Sequence, residues 1–174
     1  MADRVEQTAC RSGKIEYREH SKVQSVTVTR SERVNDRGVV YAGTEPSAIF
    51  RSEDGGETWY ECGDLTALPS ASEWSFPPRP QTHHVRWIEP DPHVPGRLFV
   101  AVEAGALIRS LDSGTTWQDR AADGPRDSHQ LSIQLSAPAR LYSAAGDGYF
   151  ESHARVLFKA RDMLLAASGF AAGS

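Results

Sequence analysis

One eight-residue pattern occurs twice in the chain, and no other feature restricts the fold as strongly. Ser52-Glu53-Asp54-Gly55-Gly56-Glu57-Thr58-Trp59 and Ser110-Leu111-Asp112-Ser113-Gly114-Thr115-Thr116-Trp117 both fit S-x-D-x-G-x-T-W. Each follows an apolar residue and an arginine, Phe50-Arg51 and Ile108-Arg109. Five fixed residue types at fixed spacing arise by chance in roughly one in several million windows at average composition. The pair is therefore an internal repeat, and the chain is read as repeated units of supersecondary structure.

The residue types suit a tight turn between two strands. Ser52 and Asp54 have short side chains that accept hydrogen bonds from turn amides. Gly56 and Gly114 can take the positive φ that such turns require. Thr and Trp then open the next strand, where an indole can bury against a neighbouring sheet. Ser52, Asp54, Gly56, Thr58 and Trp59, with Ser110, Asp112, Gly114, Thr116 and Trp117, are accordingly expected to be structural.

The octet resembles the Asp-box, or BNR repeat, found in sialidases, sortilin-type domains, xyloglucanases and other propeller proteins. The resemblance spans about Val39 to Ser152. It implies a β-propeller in which each octet joins the third and fourth strands of a blade, on the face opposite the active site. It carries little about function, because the motif is shared by hydrolases, assembly factors and receptors.

The rest of the chain is consistent with an all-β fold. Four strands fit between Val23 and Cys62: Val23–Arg30, Val39–Gly43, Ala48–Arg51 and Trp59–Glu61, with Ser31–Arg37 as a loop. A second unit supplies His84–Glu89, Leu98–Val102, Ala106–Arg109 and Trp117–Arg120, with Val85, Trp87 and Glu89 expected on one face. Tyr41 and Phe99 each lie eleven residues before their octet serine. A third unit offers Gln130–Leu135, Ala139–Ala144 and Tyr149–Ser152 and then loses the pattern. Ala154, Val156 and Lys159 stand where the aspartate, glycine and tryptophan belong. From His153 onward helix formers dominate.

The expected architecture is therefore an incomplete β-propeller of two full blades plus most of a third, with a helical C-terminal tail. The boundaries are an N-terminal arm at 1–22, blades at 23–152 (23–62, 83–120 and 129–152) and a non-propeller tail at 153–174. Lys14–Glu19 is a short strand within the arm. Propellers have about four to eight blades. Hence the chain is expected to be a truncated or frame-disrupted piece of a longer propeller. A homo-oligomer that closes the ring is the competing arrangement.

A net charge of −4 and a pI near 5.9 supply no basic field for nucleic acid or anionic membrane. No stretch approaches the length of a transmembrane helix, and Met1–His20 lacks the apolar core of a signal peptide. Cys10 and Cys62 have no metal-ligand spacing. A disulfide and reduced thiols both fit them, and reduced thiols in a cytoplasmic protein are the expectation.

Connectivity locates the polar candidates. Loops joining strands two and three open on the face opposite the octets, and so do the residues that precede strand one. Glu45 and Glu103, each seven residues before an octet serine, end strand two of their units. Asp147 holds the corresponding place in the third unit. His83, His84 and His129 precede the innermost strands. These residues converge on one rim, where carboxylate and imidazole suit a sugar, a polar protein partner or a divalent metal. The two glutamates are expected to approach each other. No cofactor and no metal ligand set is assigned.

Between the first two units runs Gly63–Thr82, with four prolines and Trp74. Trp74-Ser75-Phe76-Pro77-Pro78-Arg79-Pro80 offers an aromatic surface to a ligand, or else folds over its own blade.

The leading function is a non-enzymatic Asp-box propeller scaffold that binds a polar ligand, such as a carbohydrate, or a protein partner. A sialidase- or glycosidase-like hydrolase is the alternative. Its resemblance would imply an arginine triad, a tyrosine–glutamate pair and an aspartate, yet the early arginine motif is absent. A third reading is an assembly factor resembling the photosystem II assembly propellers, which carry no catalytic residues.

Overall fold

The computed structural model describes residues 22–34, 37–136, 140–153 and 157–161. The described residues are all-β, with three small antiparallel sheets, and among them no sheet closes on itself. The first sheet runs in order β1 (Lys22–Val34), β2 (Arg37–Glu45), β3 (Ile49–Ser52) and β4 (Tyr60–Glu61). The second is β5 (Val85–Pro90), β6 (Leu98–Val102) and β7 (Ala106–Ser110). The third is β8 (Ser128–Ile133), β9 (Leu141–Ala145), β10 (Gly148–His153) and β11 (Leu157–Arg161).

Each sheet is a meander in chain order, and the first strands, β1, β5 and β8, pack against one another in succession. Glycine permits the closest approach. A Cβ on Gly43 would fall 2.4 Å from Val85 Cγ1 and 2.6 Å from Ser25 Oγ. Ser25 Oγ itself donates to the Val85 carbonyl across the gap, at 3.1 Å.

The middle sheet explains why its strands read as unbroken apolar runs. Leu98, Val100 and Val102 of β6, with Ala106 and Ile108 of β7, bury against Val39, Tyr41 and Ile49 of the first sheet. The alternate residues Ala101 and Leu107 bury against Leu131, Ile133 and Leu141 of the third, with Phe99 packed alongside. A strand with both faces covered has no polar alternation to show.

Four expectations change. Within the expected loop Ser31–Arg37, Ser31–Val34 continues β1 and Arg37 opens β2, with Arg33 and Val34 paired to Gly38 and Arg37. Val85, Trp87 and Glu89 do not share one environment, because a register shift falls between Val85 and Trp87. An extra residue exchanges the faces beyond it, so Val85 and Ile88 enter the first core while Trp87 packs on the second. The fourth strand of the second unit is reduced to one bridge, Arg109 to Gln118. Finally, Leu157–Arg161 is not helical but forms β11, paired with β10 from Tyr149–Arg161 to His153–Leu157. Helix propensity is worth only tenths of a kcal/mol per residue, and an open strand edge offers a full ladder of backbone partners. Residues 1–21 and 162–174, including Lys14–Glu19, Cys10 and the remaining tail, lie outside the described residues. Among those described, no helix is long and apolar enough to cross a membrane.

The stretch 63–82 is folded rather than open. Two 3-10 turns, Leu65–Ala67 and Pro69–Glu73, carry Leu65 and Trp74 into the first core. Ser70 anchors the turn on Asp119, through its amide at 2.8 Å and its hydroxyl at 2.5 Å. Glu73 pairs with Arg120.

Candidate functional site

The two octets build the same hydrogen-bonded turn. Asp54 Oδ1 accepts from the Thr58 amide at 2.9 Å, and Oδ2 from the Thr58 hydroxyl at 2.5 Å. Asp112 takes the same pair from Thr116, at 2.8 and 2.6 Å. Ser52 and Ser110 each donate to their aspartate at 2.8 Å and accept from Gly56 and Gly114 at 2.8 Å. The Thr58 hydroxyl and amide hold the Asp54 carboxyl well below the usual carboxylate range. At Asp112 partial burial pushes the other way, and the bonds from Thr116 and Ser110 outweigh it.

The tryptophans differ, although both are half-buried. Trp59 Nε1 donates to Gly56 within its own turn, at 3.0 Å. Trp117 Nε1 instead donates to Gly63 O at 3.0 Å, and Gly63 N donates to Gly114 O at 2.8 Å. The second octet is thus seated on the chain leaving the first sheet.

At the opposite ends of the strands the polar residues collect. The β6–β7 turn carries Glu103, whose Oε2 lies 2.7 Å from Nε2 of the buried His84. Arg86 Nε approaches the same oxygen at 3.7 Å. Glu103 Oε1 faces His129 Nε2 at 3.9 Å, and His129 Nε2 lies 3.2 Å from Asp127 Oδ1. Asp127 Oδ1 also accepts from the Ala104 amide at 3.0 Å. Ala104 has a φ of 50°, a left-handed conformation that costs a non-glycine residue about 1–2 kcal/mol. Such strain is found preferentially where a turn must aim particular groups.

Glu45 belongs to a separate part of this rim. It is buried and pairs with Arg79 Nη2 at 2.7 Å, and it accepts from Gln24 Nε2 at 2.8 Å. Among the described residues the two glutamates share no partner. A row of contacts links them: Arg79 lies over the Phe76 ring at 5.2 Å, and Phe76 meets the His84 ring edge-on at 4.9 Å. His83 meets Trp74 edge-on at 5.5 Å. Asp147 is exposed and accepts from the Arg126 amide at 3.0 Å. Trp74 presents no aromatic face to solvent: it is 5% exposed and donates through Nε1 to Ser70 Oγ at 2.9 Å.

Asp127 and Arg79 were missed from sequence. Asp127 sits in the loop before β8, with only its acidic-x-His spacing to His129 as a signal. Arg79 is embedded in a proline-rich run that reads as a spacer.

His83 supplies a pH dependence. Burial, then the neighbouring His84, holds its imidazole below the ordinary 6.5. The unfolded chain therefore takes up this proton more readily than the folded one. The stability from the neutral ring is complete above about 6.5 and is lost as the pH falls through the lower folded value. His83→Phe, which keeps a ring against Trp74, should flatten the fall in thermal midpoint between pH 7 and 5. An unchanged slope would remove His83 as its source.

No protein-family model and no curated protein matches the chain.

Proposed function

We propose that the chain is part of an Asp-box β-propeller scaffold whose rim opposite the octets binds a polar, hydroxyl-rich ligand or protein partner without catalysis. Three meanders whose first strands pack in succession support the blade assignment, as do two matching octet turns at equivalent strand junctions. Val23, Val26 and Val28 are each more than half exposed on the β1 face turned away from the second sheet. In this reading that face receives another blade, from a longer chain or from a second copy closing the ring.

The observation that carries the binding reading concerns unpartnered atoms. Among the described residues, the buried side-chain atoms without hydrogen bonds are Ser47 Oγ, Arg79 Nε, His83 Nδ1 and His84 Nδ1. Ser47 lies between β2 and β3, Arg79 in the 63–82 stretch, and His83 and His84 just before β5. A buried polar group left without a partner costs about 1–3 kcal/mol; these atoms are closed to solvent, so a ligand hydroxyl reaches them only if a covering side chain such as the half-exposed Arg79 moves aside. None of the four belongs to an octet, where the aspartate side chains are bonded within their own turns.

One distance bears on the hydrolase alternative. Glu103 and Asp127 place carboxylate oxygens within 4.8 Å, near the roughly 5–5.5 Å of retaining glycosidases. Both, however, converge on the same imidazole, that of His129. Screening neutral oligosaccharides by saturation-transfer NMR alongside fluorogenic glycosides separates the readings. Binding without turnover, lost in Glu103→Gln, is expected. Turnover abolished by the same substitution would replace the scaffold reading with the hydrolase.

A further inference from the structure

We propose that Glu103, Asp127 and His129 form a binding site for a divalent transition-metal ion of the Zn2+ or Mn2+ kind. The inference deepens the rim reading, and rests on it only for where a polar ligand would meet the ion. One donor atom from each of the three residues lies within 4.8 Å of the others. Metal–donor bonds of about 2.0–2.2 Å place neighbouring donors roughly 3–4.4 Å apart. The His129–Asp127 and His129–Glu103 separations of 3.2 and 3.9 Å already fall in that range.

The donors come from two segments, the β6–β7 turn and the start of β8, and each carboxylate is oriented by groups behind it. On Glu103, His84 and Arg86 engage Oε2, leaving Oε1 toward His129. His84 is 3% exposed, and its Nδ1 has no partner among the described residues. Its ring proton therefore belongs on Nε2, pointing at Glu103. A buried imidazole donating to a ligating carboxylate is the kind of support that fixes a metal ligand. On Asp127, the Ala104 amide holds Oδ1. Behind Oδ2, a Cβ on Gly146 would fall 2.2 Å away, so the absence of a side chain there makes room for the carboxylate.

The donor chemistry selects the ion. One imidazole with two carboxylates suits Zn2+ or Mn2+ better than Ca2+, which takes all-oxygen sites. The ion would take the Nε2 lone pair of His129 in place of the contact with Asp127 Oδ1, which requires the neutral ring with its proton on Nδ1. Three protein donors leave coordination positions for water or a ligand hydroxyl.

The test is titration of the full chain, made without a histidine tag and stripped with chelator. Zn2+ is followed by calorimetry and Mn2+ by electron paramagnetic resonance. One ion per chain is expected, with affinity reduced about tenfold or more in Glu103→Gln and Asp127→Asn. His129 is 45% exposed on its side chain, so His129→Ala removes a donor without opening the core and should give the same loss. The exposed His93→Ala should bind as the parent chain does. No saturable binding by the parent would overturn the site, as would His129→Ala binding equally well. Ca2+ binding that ignores His129 would do the same. No oligosaccharide enters this titration, so its outcome is separate from that of the rim screen.

Discussion

Trp74→Ala is expected to destabilise the chain by about 3–5 kcal/mol while leaving ion binding at the rim unchanged. The indole fills the first core beside Leu65 and Val102, and a Cβ on Gly105 would lie only 2.9 Å from its Cγ. Removing it leaves a void between the sheets and strands the Ser70–Asp119 anchor. Equilibrium urea unfolding measures the loss. A loss below about 1 kcal/mol, or a rim titration that changes with the fold intact, would return Trp74 to the surface role suggested by its Pro-rich neighbourhood.

The second large effect comes from comparing two glycines of the same motif position. Gly56 and Gly114 have φ values of 98° and 86°, so alanine at either costs about 1–2 kcal/mol in backbone strain alone. Their surroundings differ. A Cβ on Gly56 would meet Trp59 at 3.6 Å, an ordinary contact, whereas on Gly114 it would meet Cys62 Sγ at 2.9 Å. Overpacking adds about 1–3 kcal/mol, so Gly114→Ala should be the more damaging by that amount. The excess measures how firmly the second octet is seated on the first sheet. Equal losses in parallel thermal melts would mean that the Gly63–Gly114 junction contributes little.

The strands were legible where hydrophobic spacing and the octet agreed, as at Val39–Gly43 and Leu98–Val102. Reading failed where pairing overrode local preference. Leu157–Arg161 looks helical by residue type, but it completes a sheet whose β10 edge would otherwise stay open. The extra residue near Arg86 has no signature in sequence, and it moves Trp87 from one core to the other. The rim was partly legible because seven-residue spacing put Glu45 and Glu103 at equivalent strand ends. Sequence could not show that Arg79, from the insert, would occupy Glu45. Nor could it show that Asp127, a loop residue, would take the place beside Glu103 expected of a second glutamate.

The central claim is a division between the two ends of the strands: octet aspartates satisfied within their own turns, and a carboxylate–imidazole rim that receives ligand. Amide NMR of the uniformly 15N-labelled chain during Mn2+ addition tests it directly, because the ion broadens the resonances nearest to it. Broadening should be strongest at Ala104, Asp127 and Gly146, with Gly56, Thr58, Gly114 and Thr116 the last to respond. Broadening centred on Thr58 and Thr116, with the Ala104 and Gly146 signals still sharp, would contradict it.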